Sequence, residues 1–199
     1  MTDPKINSIL DEGNRLFLQR NFEQAIEYYN KILDEDPKHI SSLNNKGYAL
    51  SKIKDFTNAI KCYDIALKIC PDDLSVLINK ISSFRKQGNL IEALLICDNI
   101  LKNNKNYNIA LYHKERILFS MGKFNESISC CNSILEDYPD NGDVLFDKAS
   151  NSAMLSNFDD ALNLLEHAIS QGIQYKIKAK KSKSFENLFD NIRFQNLVS

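Results

Sequence analysis

A step of 34 residues recurs along this chain and constrains its fold more than any other property. Ala25, Ala59, Ala93, Ser127 and Ala161 keep that step, as do Leu43, Leu77, Leu111 and Leu145; Pro37, Pro71 and Pro139 follow it too. A fixed period of this size marks a stack of small helical units, none able to bury its own apolar face without its neighbours. Extending the step gives five frames, 6–39, 40–73, 74–107, 108–141 and 142–175, within a repeat region assigned to residues 1–175.

Within each frame apolar residues recur at helical spacing in two runs. In the second frame these are Leu43, Gly47 and Leu50, then Phe56, Ala59, Tyr63, Ala66 and Leu67. Two such runs make a helical hairpin, in which the small residues let the backbones approach and Leu50 and Tyr63 fill the remaining space. Asn21, Asp55, Asn89 and Asn157 each precede an apolar Phe or Leu and are expected to cap the second helices through their side chains. Lys123 breaks that pattern, so a weaker helix start is expected in the fourth frame. Beyond the frames, Ala179, Phe185, Leu188, Phe194 and Leu197 are spaced to cover the last apolar face, and 176–199 reads as a capping helical segment.

The stretch LNNKGYALSKIKDFTNAIKCYDIALKICP, residues 43–71, resembles the tetratricopeptide repeat family. Leu43, Gly47, Leu50, Ala59, Tyr63, Ala66 and Pro71 stand where that family places its large, small, large, small, aromatic, small and proline residues. The first frame matches through Ile9, Gly13, Leu16, Ala25, Tyr29 and Pro37, with Ile32 in place of a small residue. Later frames drift: Cys97 and Cys131 replace the aromatic, Lys105 the proline and Glu115 a small residue, and Ser152 and Ile173 also depart. The resemblance implies an all-α, right-handed α-solenoid whose first helices line a concave groove. It further implies a non-enzymatic interaction scaffold or adaptor that holds an extended peptide or helix of another protein.

That reading selects candidate groove residues. The sixth place of successive frames holds Asp11, Asn45, Asn79, His113 and Asp147, all able to hydrogen-bond a peptide backbone. Neighbouring places add Asn14, Tyr48, Arg85, Tyr112, Arg116 and Phe146, a mixture of polar, aromatic and Arg side chains of which the latter two kinds anchor partners. One subclass of the family grips acidic chaperone tails. Asn14 and Asn45 match its pattern, but Leu10, Ser75 and Asn79 stand where cations are required, so such a tail is not expected as ligand.

Composition closes off other classes. With 25 Lys and Arg against 26 Asp and Glu, no net field favours nucleic acid. Five cysteines without a C-x-x-C pair, and His39, His113 and His167 without a second ligand at i+4, point to neither a metal site nor a disulfide framework. Nucleotide, cofactor and nucleophile motifs are missing, and no catalytic residue or cofactor is expected. The start MTDPKINSIL carries no leader pattern and no apolar run reaches membrane-spanning length, so a cytoplasmic location without a membrane partner is expected. Lys46, Lys80, Lys114 and Lys148 read as stems covering the hairpins with ammonium groups in water. Lys176, Lys178, Lys180, Lys181 and Lys183 read as a solvated helix face. Two functions compete with the adaptor: a self-assembling subunit that forms homo-oligomers, and an RNA-binding helical repeat.

Overall fold

The structure, a computed structural model, describes residues 4–199. Residues 1–3, the beginning of the segment read as lacking a leader, lie outside the described residues. Among the described residues twelve α-helices follow one another: α1 (Pro4–Leu18), α2 (Phe22–Glu35), α3 (Ile40–Lys52), α4 (Phe56–Ile69), α5 (Leu74–Gln87), α6 (Leu90–Asn103), α7 (Asn108–Ser120), α8 (Phe124–Asp137), α9 (Gly142–Met154), α10 (Phe158–Gln171), α11 (Gln174–Lys181) and α12 (Ile192–Val198). A 3-10 helix, Lys183–Leu188, lies between the last two, and there is no strand among the described residues. The chain forms two compact units, Met1–Ile96 and Cys97–Ser199, divided within α6.

In the first unit α1 packs on α2 and α3 on α4, while α2 and α4 also pack against the first helix of the next hairpin. The second unit repeats this with α7 on α8, α9 on α10, and α8 against α9. Ala25, Ala59, Ala66, Ala161 and Ala168 are fully buried at the close approaches, so the 34-residue step is the step of interhelix contact. The C-terminal segment continues this packing. Tyr175, Ala179, Phe185, Leu188, Phe194 and Val198 join Leu145, Phe146, Ala149 and Leu165 in one core, with Leu197 packed at its margin. The tail therefore caps the last hairpin, and it begins at Gln174.

Every turn between paired helices has the same backbone. Arg20, Lys54, Gly88, Gly122 and Ser156 have φ of 64°, 67°, 91°, 74° and 61°. The residue after each sends its amide back to the helix, from Asn21 to Leu16, Asp55 to Leu50, Asn89 to Phe84, Lys123 to Leu118 and Asn157 to Ser152, at 2.9 to 3.0 Å. A left-handed residue followed by this six-to-one bond is the Schellman ending of a helix. The expected caps are corrected in part. Asn21 and Asn157 have no side-chain capping bond, although their torsions, φ −84° and −82° with ψ 67° and 68°, match those of Asp55 at φ −83° and ψ 67°. Asp55 alone among the three reaches the amide three residues on, at Asn58. Side-chain caps stand instead one turn earlier in the frame, at His39, Asp73 and Asn141, before the first helices.

Only two of the five left-handed positions carry glycine. Lys54→Gly and Ser156→Gly are each expected to stabilise the chain by about 1 kcal/mol, and Gly122→Ala to destabilise it by at least as much. Urea midpoints read by circular dichroism check both signs.

The lysine ladder is more engaged than its spacing shows. Lys80 Nζ lies 2.6 Å from Asp64 Oδ1, and Lys114 Nζ 2.6 Å from Asp98 Oδ1, each joining a first helix to the preceding second helix. At the matching register of other hairpins stand Asn30 and Asn132, so Lys46 and Lys148 meet no acid there.

Candidate functional site

Successive first helices are brought side by side in the first unit, where α1 touches α3 and α3 touches α5. Residues 31 apart then face each other. Asn45 Nδ2 donates to Asn14 Oδ1 at 2.9 Å, and the Tyr29 hydroxyl donates to the same oxygen at 3.0 Å. Burial pushes the Tyr29 phenol up to about 12, so it remains a donor throughout the physiological range. Phe17 stacks on Tyr48 with centroids 5.1 Å apart, and Lys52 Nζ lies 4.8 Å from the centre of the Tyr48 ring. Farther along, Asn79 Nδ2 donates to Asn44 Oδ1 at 2.9 Å, and the buried hydroxyls of Ser51 and Ser83 bond at 2.6 Å.

The Asn14 and Asn45 pair forms a ridge between two cavities. On one side, about 210 Å³ is walled by Phe17, Leu18, Tyr29 and Tyr48. On the other, about 290 Å³ is lined by Leu10, Ile40, Ser41, Asn44, Asp73 and Ser75. The first is apolar and the second polar. Leu18 is 81% exposed and Tyr48 38% exposed, so both are reachable from solvent at the cavity. In the polar cavity Asp73 accepts from the Ser75 hydroxyl and from the Ser75 and Val76 amides, which hold its carboxyl below the ordinary range, the hydroxyl most of all. Asp73 is thereby committed to the start of α5.

The second unit places a charged pair in the same register. Arg116 Nε lies 3.9 Å from Asp147 Oδ2, and its guanidinium sits 4.9 Å from the Tyr112 ring centre. Burial pushes the Asp147 carboxyl up to about 6, and Arg116 partly opposes that shift. Beneath this pair lies a group that the sequence reading noted only as a departure from pattern. Glu115 is 2% exposed, with Oε1 accepting from the Ser127 hydroxyl at 3.0 Å and from Asn151 Nδ2 at 3.3 Å, while Oε2 has no hydrogen-bond partner.

The candidate residues thus separate. Asn14, Asn45 and Tyr48 surround the apolar cavity, and Asn79 lies one hairpin on, bonded to Asn44. Asp11 is exposed on α1 and lines neither cavity, and Arg85 is half-buried on α5. Tyr112, Arg116 and Asp147 cluster in the second unit, with His113 half-buried on α7. Phe146 is covered: it stacks on Tyr175 at 5.8 Å and meets the edge of Phe185 at 5.6 Å, both from the C-terminal segment. Sequence reasoning passed over Phe17, Leu18 and Asn44. Their signal was available, since each stands on a first helix one turn from a selected residue.

The tetratricopeptide repeat profile matches residues 40–73, and a second profile of the same repeat matches 16–39. No curated protein sequence matches the chain. Among solved structures, YrrB, described as a tetratricopeptide repeat protein with an unusual peptide-binding site, superposes with a TM-score of 0.69 at 20% identity, over 87% of this chain and 91% of that one. A tetratricopeptide repeat protein from Parabacteroides merdae gives 0.83 at 16% identity, covering 98% and 78%. The protein MamA gives 0.73 at 18% identity, covering 89% and 96%. At these identities the likeness is one of fold.

Proposed function

Since the chain is a tetratricopeptide repeat protein, and so an interaction scaffold, we propose that the α1, α3 and α5 face binds an extended peptide segment of a partner protein. One observation carries the reading: a ridge of side-chain amides separates an apolar cavity from a polar one. The amides keep unused donor and acceptor capacity after bonding each other. Asn45 retains its carbonyl oxygen and Asn14 its amino group, which suit the alternating N–H and C=O of an extended backbone. Phe17, Leu18 and Tyr48 would hold a bulky apolar side chain of the peptide, the kind of anchor that supplies most of the affinity. The named peptide-binding site of YrrB is in keeping with this use of the fold. Phe146 is left out of the surface, being packed beneath the tail.

Leu18→Asp is the cleanest test, because that side chain is exposed and contributes little to folding. Selection from a displayed random-peptide library is expected to enrich sequences with one bulky apolar residue. Leu18→Asp and Tyr48→Ala are expected to weaken the selected peptides by about 10- to 100-fold, a hot-spot loss, with melting of the Leu18→Asp chain unchanged. Peptides that bind both variants as tightly as the wild type would remove the site from this face.

A further inference from the structure

We propose that the outward face of α11 and the turn after it docks onto an anionic lipid surface. The sequence reading took these lysines as a solvated face; the structure adds which side chains share that face. Tyr175 and Ala179, four residues apart, point into the core. The opposite stripe carries Ile173 and Ile177, which are 73% and 57% exposed, and Lys180 and Lys181 continue it one turn further. Lys183 follows at once, also exposed. Two isoleucines held out in water beside three lysines are unfavourable for a face that meets only solvent.

The charge of this face is not neutralised by its surroundings. Residues 174–185 contain five lysines and no acid, and the exposed Glu186 that follows makes no ion pair with them. Of the acids on packed neighbours, Asp143 of α9 is taken by Lys178 at 2.8 Å and Glu166 of α10 by Arg193 of α12 at 2.8 Å. Lys176 donates to the Ser199 carbonyl oxygen at 3.0 Å. Lys180, Lys181 and Lys183 have no acidic partner among the described residues. Such a face complements anionic phosphates, while its isoleucines fit the boundary between headgroups and acyl chains. Single-stranded nucleic acid is less well matched, because the aromatic rings of this segment, Tyr175 and Phe185, are buried and offer no base-stacking platform. The arrangement is peripheral: no described helix is long and apolar enough to cross a membrane.

Sedimentation of the full chain with phosphatidylcholine vesicles, with and without phosphatidylserine, tests the proposal. Binding is expected only with phosphatidylserine and is expected to fall as salt rises, since exposed charges are screened within about 8 Å at physiological ionic strength. Replacing Lys180, Lys181 and Lys183 together by glutamine should lower partitioning by about a hundredfold, at roughly fivefold per lysine. Ile177→Ser should lower it by about tenfold. All four side chains are exposed, so thermal melting should not move and a folding defect is distinguishable. Absence of binding at low salt, or equal binding to neutral vesicles, would overturn the proposal. So would full retention in the lysine variant, or indifference to Ile177→Ser. Capture of single-stranded RNA or polyglutamate in preference to vesicles would reassign the face to another polyanion.

Discussion

Gly47→Ala is expected to destabilise the chain by about 2 kcal/mol, although alanine is the better helix former by about 1 kcal/mol. The reason is distance. A Cβ on Gly47 would lie 2.5 Å from Tyr63 Cε1, 2.8 Å from Cζ and 3.0 Å from Cδ1. Tyr63 is wholly buried among Leu43, Leu50, Ala59, Cys62, Ala66 and Val76, so its ring has nowhere to swing. Removing the ring by Tyr63→Ala should cost about 3–5 kcal/mol through lost contacts and the cavity left behind. In that background the added methyl meets empty space, and Gly47→Ala should turn favourable by about 1 kcal/mol. The pair should therefore show a coupling near 3 kcal/mol in a double-mutant cycle from urea titrations of the four chains. Additive effects, within about 0.5 kcal/mol, would mean that the glycine serves something other than the ring. Gly13 meets Tyr29 in the first hairpin at 2.8 Å, which extends the same expectation to that pair.

Such pairings were legible in the sequence because they are local and periodic. Glycine and tyrosine sixteen residues apart, repeated one frame later, report a backbone approach before any coordinate is known. The all-helical fold and the capping tail follow from the same regularity. Capping was misread because residue type and turn torsions do not decide it: Asn21, Asp55 and Asn157 share one backbone geometry, yet only Asp55 caps, its second carboxylate oxygen also accepting from Asn58 Nδ2. The geometry of the candidate site was half legible. Asn14, Asn45 and Asn79 were picked out as polar groups on a free face, yet their bonds to one another and to Asn44 require knowing which first helices touch. Phe146 shows the opposite limit, since a side chain at a groove position is withdrawn once a distant segment packs over it. Lys80 and Lys114 find acids on the preceding second helix, a partner set by stacking rather than by helix spacing.

From about pH 8 down to pH 5 the wild type should gain stability against urea, and the Glu115→Gln chain should gain much less. In the fourth hairpin the size relation of Gly47 and Tyr63 is inverted: Cys131 stands at the aromatic position and Glu115 at the small one. The longer side chain fills the space but brings a carboxyl group into the interior. Burial is the largest cause pushing that carboxyl up to about 7 from an ordinary 4.5, and the Asp147 charge adds to it; Ser127, Asn151 and Arg116 oppose both. Across the window from 4.5 to about 7 the native chain holds a proton that the unfolded chain has released. Unfolding free energy therefore falls as pH rises through that window, and the full cost is present above it. The shift corresponds to about 3 kcal/mol. Asp147, pushed up to about 6, adds a slope of the same sign. Glutamine keeps the shape, carries no charge and supplies a donor where Oε2 has no partner, so it should stabilise the chain most above pH 7 and least near pH 5. Below about pH 4.5 the slope reverses, because Asp73 and Asp143 are held below their ordinary range and lose their stabilisation as they protonate. Urea midpoints that stay parallel for the two chains from pH 5 to about pH 8 would show that Glu115 is solvated as the unfolded chain is, and that the fourth hairpin opens around it.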